Sequence, residues 1–150
     1  MNLQKPAVLQ ACLDLIAEKS TELRASIRDA QEAANEDTKS SAGDKFETTR
    51  EMMTQEIDKA NGQLSVLAEM KVLLDKVKPD GRMDKVGFGS LVTTNEGLYF
   101  FSVSLGKVPV DGETVYALSM ASPMGQAMAG ATTGQKVSFR GRDILVKSIL

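Results

Sequence analysis

The residues best placed to do chemistry in this chain are two carboxylates three positions apart, in Gly43-Asp44-Lys45-Phe46-Glu47. On the first turn of a helix that spacing sends both side chains to one side. Two carboxylates alone hold Mg²⁺ weakly, because the ion keeps several waters and takes further ligands from a phosphate or a second protein. The same spacing also serves a structural purpose, with Asp44 as helix N-cap and Glu47 as the third-position partner of a capping box. Both readings fit the geometry. Composition removes most other chemistry: the 150 residues include no His, no Trp and one Cys. No imidazole is present to activate a nucleophile or bind a metal, and a lone Cys12 builds neither a disulfide framework nor a four-Cys zinc site. Cys12 is expected to be a small buried hydrophobe.

The formal charge of −2 conceals an uneven distribution. Nine acids between Asp29 and Asp58 are met only by Lys39, Lys45 and Arg50, a balance of −6 that leaves +4 on the rest of the chain. Ordinary solvated helix faces carry such charge with i,i+4 pairing. Acid gathered at the end of a narrow projection also suits reach into a partner's cavity. An isoelectric point near 5.2 argues against nucleic-acid binding driven by overall charge. Mean hydropathy is −0.16, and no apolar run approaches the roughly 20 residues of a membrane span. The Met1–Pro6 segment has no apolar core of the signal-peptide kind, so a cytoplasmic protein without membrane association is expected.

The elements that carry these residues fall into two halves. Ten of the twelve Gly and six of the seven aromatic residues follow Pro79. In the first half Leu9, Ile16, Leu23 and Ala30 are spaced by seven, and Leu13, Ser20, Ile27 and Ala34 form a second series offset by four, together an a/d seam. Phe46, Met53, Ala60, Leu67 and Leu74 repeat by seven on the far side, joined by Ile57 and Leu64. The pattern predicts two long helices packed antiparallel, with Leu9 beside Leu74, Ile16 beside Leu67, Leu23 beside Ala60 and Ala30 beside Met53. A helix from about residue 7 to 35 is about 43 Å long at 1.5 Å per residue. The turn is expected within Glu36–Asp44, and the small residues of the seam near it make that end the less stable one. Residues 1–78 thus read as a coiled-coil hairpin, 79–82 as a linker containing Pro79 and Asp80-Gly81, and 83–150 as a second domain.

The second half alternates in strand fashion over Val86–Thr93, Gly97–Leu105, Glu113–Ser119, Gln135–Arg140 and Asp143–Leu150. Between the third and fourth of these stands a short helix with legible ends: Ser122 as N-cap, Pro123 at the first helical position, Gly130 just past the end. Met124, Ala127 and Met128 would share its buried face. The fold class is α+β: an antiparallel coiled-coil hairpin, then a small antiparallel β domain with one short helix. Phe88, Tyr99, Phe100, Phe101, Tyr116 and Phe139 are expected in the sheet core. Lys136, Arg140, Arg142 and Lys147 make the last two strands basic, either as a solvated face or as a docking surface for an acidic partner.

At this point the chain resembles the Gre transcript cleavage factors, bacterial elongation factors with an N-terminal coiled-coil hairpin and an FKBP-like C-terminal domain. The resemblance spans nearly the whole chain. It is carried by Ser122-Pro123-Met124-Gly125-Gln126-Ala127-Met128-Ala129-Gly130 with Gly134-Gln135-Lys136-Val137, by Val86–Val92, and by Gly43, Asp44 and Glu47 of the family's tip pattern. It implies a partner, RNA polymerase, whose secondary channel admits the hairpin while the second domain docks through residues such as Ser122, Pro123, Lys136, Arg140 and Arg142. It further implies that Asp44 and Glu47 help hold a Mg²⁺ shared with the polymerase, near the nascent RNA 3′ end, the catalyst being the polymerase and not this chain. The pattern departs at Lys45, Thr48, Thr49, Arg50 and Glu51, where the family has Leu, Asn, Ala, a second Glu and Tyr. A longer loop before Gly43 is also expected, which makes Glu36 and Asp37 alternative tip acids. Three readings stay open: a cleavage factor, a secondary-channel regulator without cleavage activity, and an interaction module unrelated to polymerase. The FKBP-like resemblance adds prolyl isomerisation, for which the usual Trp is missing.

Overall fold

The computed structural model describes residues 3–40 and 44–150, without the side chains of 36–46. Two compact units divide the chain, one of residues 16–69 and one of residues 1–15 with 70–150. The first unit is built from the greater part of two helices, α1 (Lys5–Ser40) and α2 (Asp44–Leu74), whose outer ends, residues 5–15 and 70–74, belong to the second. A three-residue connection between helices of this length makes them an antiparallel pair. Burial follows the heptads closely. Ile16, Ser20, Ala30, Ala60 and Leu67 are buried, Leu23, Ile27, Ala34, Met53, Ile57 and Leu64 are half-buried, and the flanking polar positions are exposed. Each helix thus presents one apolar stripe, and within this unit the facing stripe is the cover available to it.

The turn is shorter than expected. Residues 36–40 continue α1 as helix, so the connection is 41–43 and Asp44 opens α2 directly. Glu36, Asp37, Thr38, Lys39 and Ser40 contain no Gly or Pro, so nothing in them stops the helix, which runs to Ser40. The turn expected within Glu36–Asp44 is thus confined to 41–43, which lie outside the described residues.

In the other unit a six-stranded sheet has the order β3-β4-β2-β1-β6-β5. Its strands are β1 (Ser90–Thr94), β2 (Gly97–Phe101), β3 (Gly106–Val110), β4 (Glu113–Leu118), β5 (Lys136–Phe139) and β6 (Arg142–Ile149), with the helix α3 (Pro123–Met128) between β4 and β5. Two features differ from the sequence reading. The long strand drawn through Leu105 stops at Phe101, and the chain turns and returns as the unforeseen β3; Gly106 at φ 75° takes a left-handed backbone that suits Gly. The sheet is also mixed, because β2 and β4 pair in parallel with Tyr99 opposite Tyr116, whereas the remaining pairs are antiparallel.

Alternation sends the two faces of the sheet to different covers. One face carries Val92, Tyr99, Phe101, Ile144 and Val146 into a core closed by Met124 and Met128 of α3. Tyr99 stands 6.0 Å from Phe101 and 5.7 Å from Tyr116, ring centre to ring centre. The opposite face holds Leu91, Phe100, Val108, Val115 and Ala117, all buried. Val8, Cys12, Leu74 and Val77 are buried in this same unit, and Val77 closes on Gly89 so that a β-carbon there would sit 3.5 Å from its side chain. Phe88 is the exception to the expected aromatic core and is 39% exposed. It rides on a tight turn in which the Ser90 backbone N–H and hydroxyl both donate to the Gly87 carbonyl, at 3.1 and 2.7 Å, which starts β1 only at Ser90.

Candidate functional site

Asp44 is the first residue of α2 and Glu47 lies one turn later, exposed. Both sit where the positive end of the helix dipole favours a carboxylate, by about 0.3–1 kcal/mol each. Glu36 and Asp37 stand at the other kind of terminus, within the last five residues of α1. There the dipole disfavours acid by a similar amount, so local helix energetics do not account for them. The side chains of Glu36, Asp37 and Asp44 lie outside the described residues. Glu32, Glu51, Glu56 and Asp58 continue the acidic character as exposed residues along both helices. Among the described residues no three His, Cys, Asp or Glu side chains converge as a metal site. The donor set here is carboxylate oxygen, the type Mg²⁺ takes, and two such groups leave most of its octahedral positions to other ligands.

The residues singled out for docking fall in two places. Ser122 caps α3: its hydroxyl accepts from the Gly125 N–H at 3.0 Å and donates to the Ser119 carbonyl at 2.7 Å, with Pro123 following as the first helical residue. Gly130 past the helix end and Gly134 both adopt positive φ, 77° and 88°. Much of the Ser122–Gly134 motif is thus explained by the turns it makes. Lys136, Arg140 and Arg142 surround the β5–β6 hairpin without forming one patch. Lys136 pairs with Leu145 and lies on the face opposite Val137, whereas Arg142 pairs with Phe139 on the α3 side. Arg142 forms an ion pair with Glu96 at 3.3 Å. The Arg140 guanidinium lies 5.0 Å from the centre of the Phe139 ring, in a turn where its own φ is 50°.

A third constellation had no sequence signal. Lys5, the first residue of α1, is only 3% exposed, and its ammonium donates to the Gly81 carbonyl at 3.3 Å. Burial holds its pKa below the ordinary lysine range. It lines a cavity of about 770 Å³ between the start of α1, residues 79–82 and the sheet face that points away from α3. Glu113 at the head of β4 lines the same cavity, with its Oε2 buried and without a hydrogen-bond partner. A Lys ahead of Pro6 and a Glu at a strand start look like surface residues, and only the tertiary arrangement brings them together.

No protein-family model matches the chain, and no curated protein matches it. Among solved structures it is similar to the GreA factor homolog 1 (Gfh1) protein of Thermus thermophilus, with 19% identity over 91% of this chain and 93% of that one and a TM-score of 0.37. A second structure, of the transcription factor Gfh1, is 18% identical over 95% of this chain and 93% of that one, with a TM-score of 0.35. Likenesses of this degree assign no role to any residue here.

Proposed function

We propose that this chain is a cytoplasmic RNA polymerase-binding elongation factor of Gre type, whose helical hairpin enters the secondary channel and whose acidic closed end modulates transcript cleavage. The observation that carries the reading is the −6 charge balance of Asp29–Asp58, the stretch that brackets the connection between the two helices. Glu36 and Asp37 strengthen it, because they occupy a helix C-terminus where intrinsic stability prefers bases. The resemblance of Ser122–Gly130 and Gly134-x-x-Val137 to the Gre family supports the partner.

In this reading the polymerase supplies the enzyme. Asp44 and Glu47 fit a shared Mg²⁺ by donor type, and the ion would supply Lewis-acid activation of water at the nascent RNA 3′ end. The chain's own contribution is to present acid on a pair of long helices. Docking through Ser122, Pro123, Lys136, Arg140 and Arg142 is part of the proposal, with Lys136 and Arg142 serving different faces. The chain binds no nucleic acid by sequence and no membrane; no helix among the described residues is long and apolar enough to cross one.

A regulator that occupies the channel without promoting cleavage is the second reading, favoured by Arg50 where the family's tip has a second acid. Capture of the tagged chain with core polymerase tests both at once. Co-purification of the polymerase subunits in stoichiometric amount is expected. Their absence from a tight complex would return the hairpin to an interaction module with another partner.

A further inference from the structure

The cavity beside Lys5 holds two charges that lack complements. The Lys5 ammonium has a carbonyl as its partner, and the buried Oε2 of Glu113 has none. Lys5 and Glu113 line one cavity yet make no ion pair with each other. A buried ammonium, or a buried carboxylate oxygen without a donor, is costly unless it meets opposite charge or a strong hydrogen bond. Lys5 is buried and Glu113 half-buried with one oxygen lacking a donor, and a single molecule that brings an anion to the first and an N–H to the second would satisfy both.

We propose that this cavity binds a small zwitterion, an aliphatic amino-carboxylate whose carboxylate meets Lys5 and whose ammonium meets Glu113. Size and lining agree. About 770 Å³ lies within the range of small-molecule sites. Leu91 and Leu98 give the floor an apolar strip for a methylene chain, and Thr93 and Ser148 add hydroxyls on the same sheet face. The start of α1 contributes the positive end of its dipole on the Lys5 side, which orients the ligand with its anionic end there. A simple anion would leave Glu113 unpaired, and a simple amine would leave Lys5 so. The site lies wholly within the unit that contains the sheet. It is independent of the acidic hairpin.

The test is a series of unbranched ω-amino acids, from glycine to 8-aminooctanoic acid, titrated into the full chain and followed by calorimetry and by amide shifts of Leu98 and Glu113. At least one chain length is expected to bind and to raise Tm. The carboxylic acid and the amine of matched length should bind about tenfold more weakly or worse, as expected for the loss of one charge-assisted contact. Glu113→Gln, at a partly exposed strand start, is expected to remain folded and to lose the preference for the zwitterion over the plain acid. Lys5→Met should lose binding of both. Absence of binding by every member at about 10 mM, a concentration at which even weak sites with Kd near 1 mM fill, would overturn the proposal. Equal binding of zwitterion and plain acid by the wild-type chain would overturn it as well.

Discussion

Gly125 donates its backbone N–H to the Ser122 hydroxyl at 3.0 Å, and a β-carbon placed on Gly125 would lie 2.7 Å from the Met120 Cα and closer still to the Ser119 carbonyl oxygen. The cap and the glycine are one device: α3 is pinned at its first turn and laid directly on the loop that leads into it. Ser122→Ala is therefore expected to cost about 1 kcal/mol, the usual loss of an N-cap. Gly125→Ala is expected to cost more, about 1–3 kcal/mol or beyond, because the obstruction is backbone and cannot rotate away. Denaturant midpoints of the two variants check the order.

Cys12 is fully buried, and burial pushes its thiol pKa from 9.0 up to about 11. Above pH 9 the unfolded thiol ionises while the native one keeps its proton. The stability this group contributes is complete below pH 9 and is lost as pH rises through 11. At about 1.4 kcal/mol per pKa unit the loss is on the order of 2–3 kcal/mol. Lys5, shifted downward by burial, acts with the opposite sign, so its cost eases as pH climbs toward 10.5. The comparison of wild type with Cys12→Ala at each pH isolates the thiol: the difference in unfolding free energy should shrink between pH 9 and 11. A thiol reagent at neutral pH should label Cys12 only as fast as the chain opens.

Ser102 is 4% exposed, and its hydroxyl is buried without a partner, although its N–H donates to the Leu118 carbonyl at 2.8 Å. Removing an unsatisfied hydroxyl gives back its desolvation cost. Ser102→Ala should leave stability unchanged or raise it by up to about 1 kcal/mol, measured by chemical denaturation. A loss of that size would mean the hydroxyl has a partner in solution.

Within the hairpin, Ala30 and Ala34 offer little side chain to the seam, and Met53 and Ile57 are only half-buried, whereas Ile16 and Leu67 are buried and large. Amide hydrogen exchange should reflect this gradient, with protection falling from the 16–20 and 60–67 amides toward 30–35 and 48–57. Uniform protection along both helices would contradict it.

The hairpin was legible because its signal is local and repeated: the heptads of Leu9–Ala30 and Met53–Leu74 name the positions that prove buried or half-buried. The α3 caps were legible for the same reason, since Ser122, Pro123 and Gly130 act within a few residues. What escaped depends on distance. Phe101-Ser102-Val103-Ser104-Leu105 continues an alternating pattern, so nothing local announces that β2 ends there and that β4 then joins it in parallel. Lys5 meets a carbonyl 76 positions away, and no period in the chain records that. At the closed end of the hairpin the acids themselves were visible as charge, while their helical setting was not, because Glu36–Ser40 has turn-like composition and yet no residue that stops a helix.

The central claim is that the acidic end of the hairpin acts at the polymerase active site. Its most direct test is the rate of transcript cleavage in stalled, backtracked elongation complexes, with and without saturating protein. The account predicts that the wild-type chain changes the rate. It also predicts that a variant with Glu36→Gln, Asp37→Asn, Asp44→Asn and Glu47→Gln binds polymerase but loses that change. A cleavage rate unaltered by the wild-type protein, or altered equally by the variant, would contradict it.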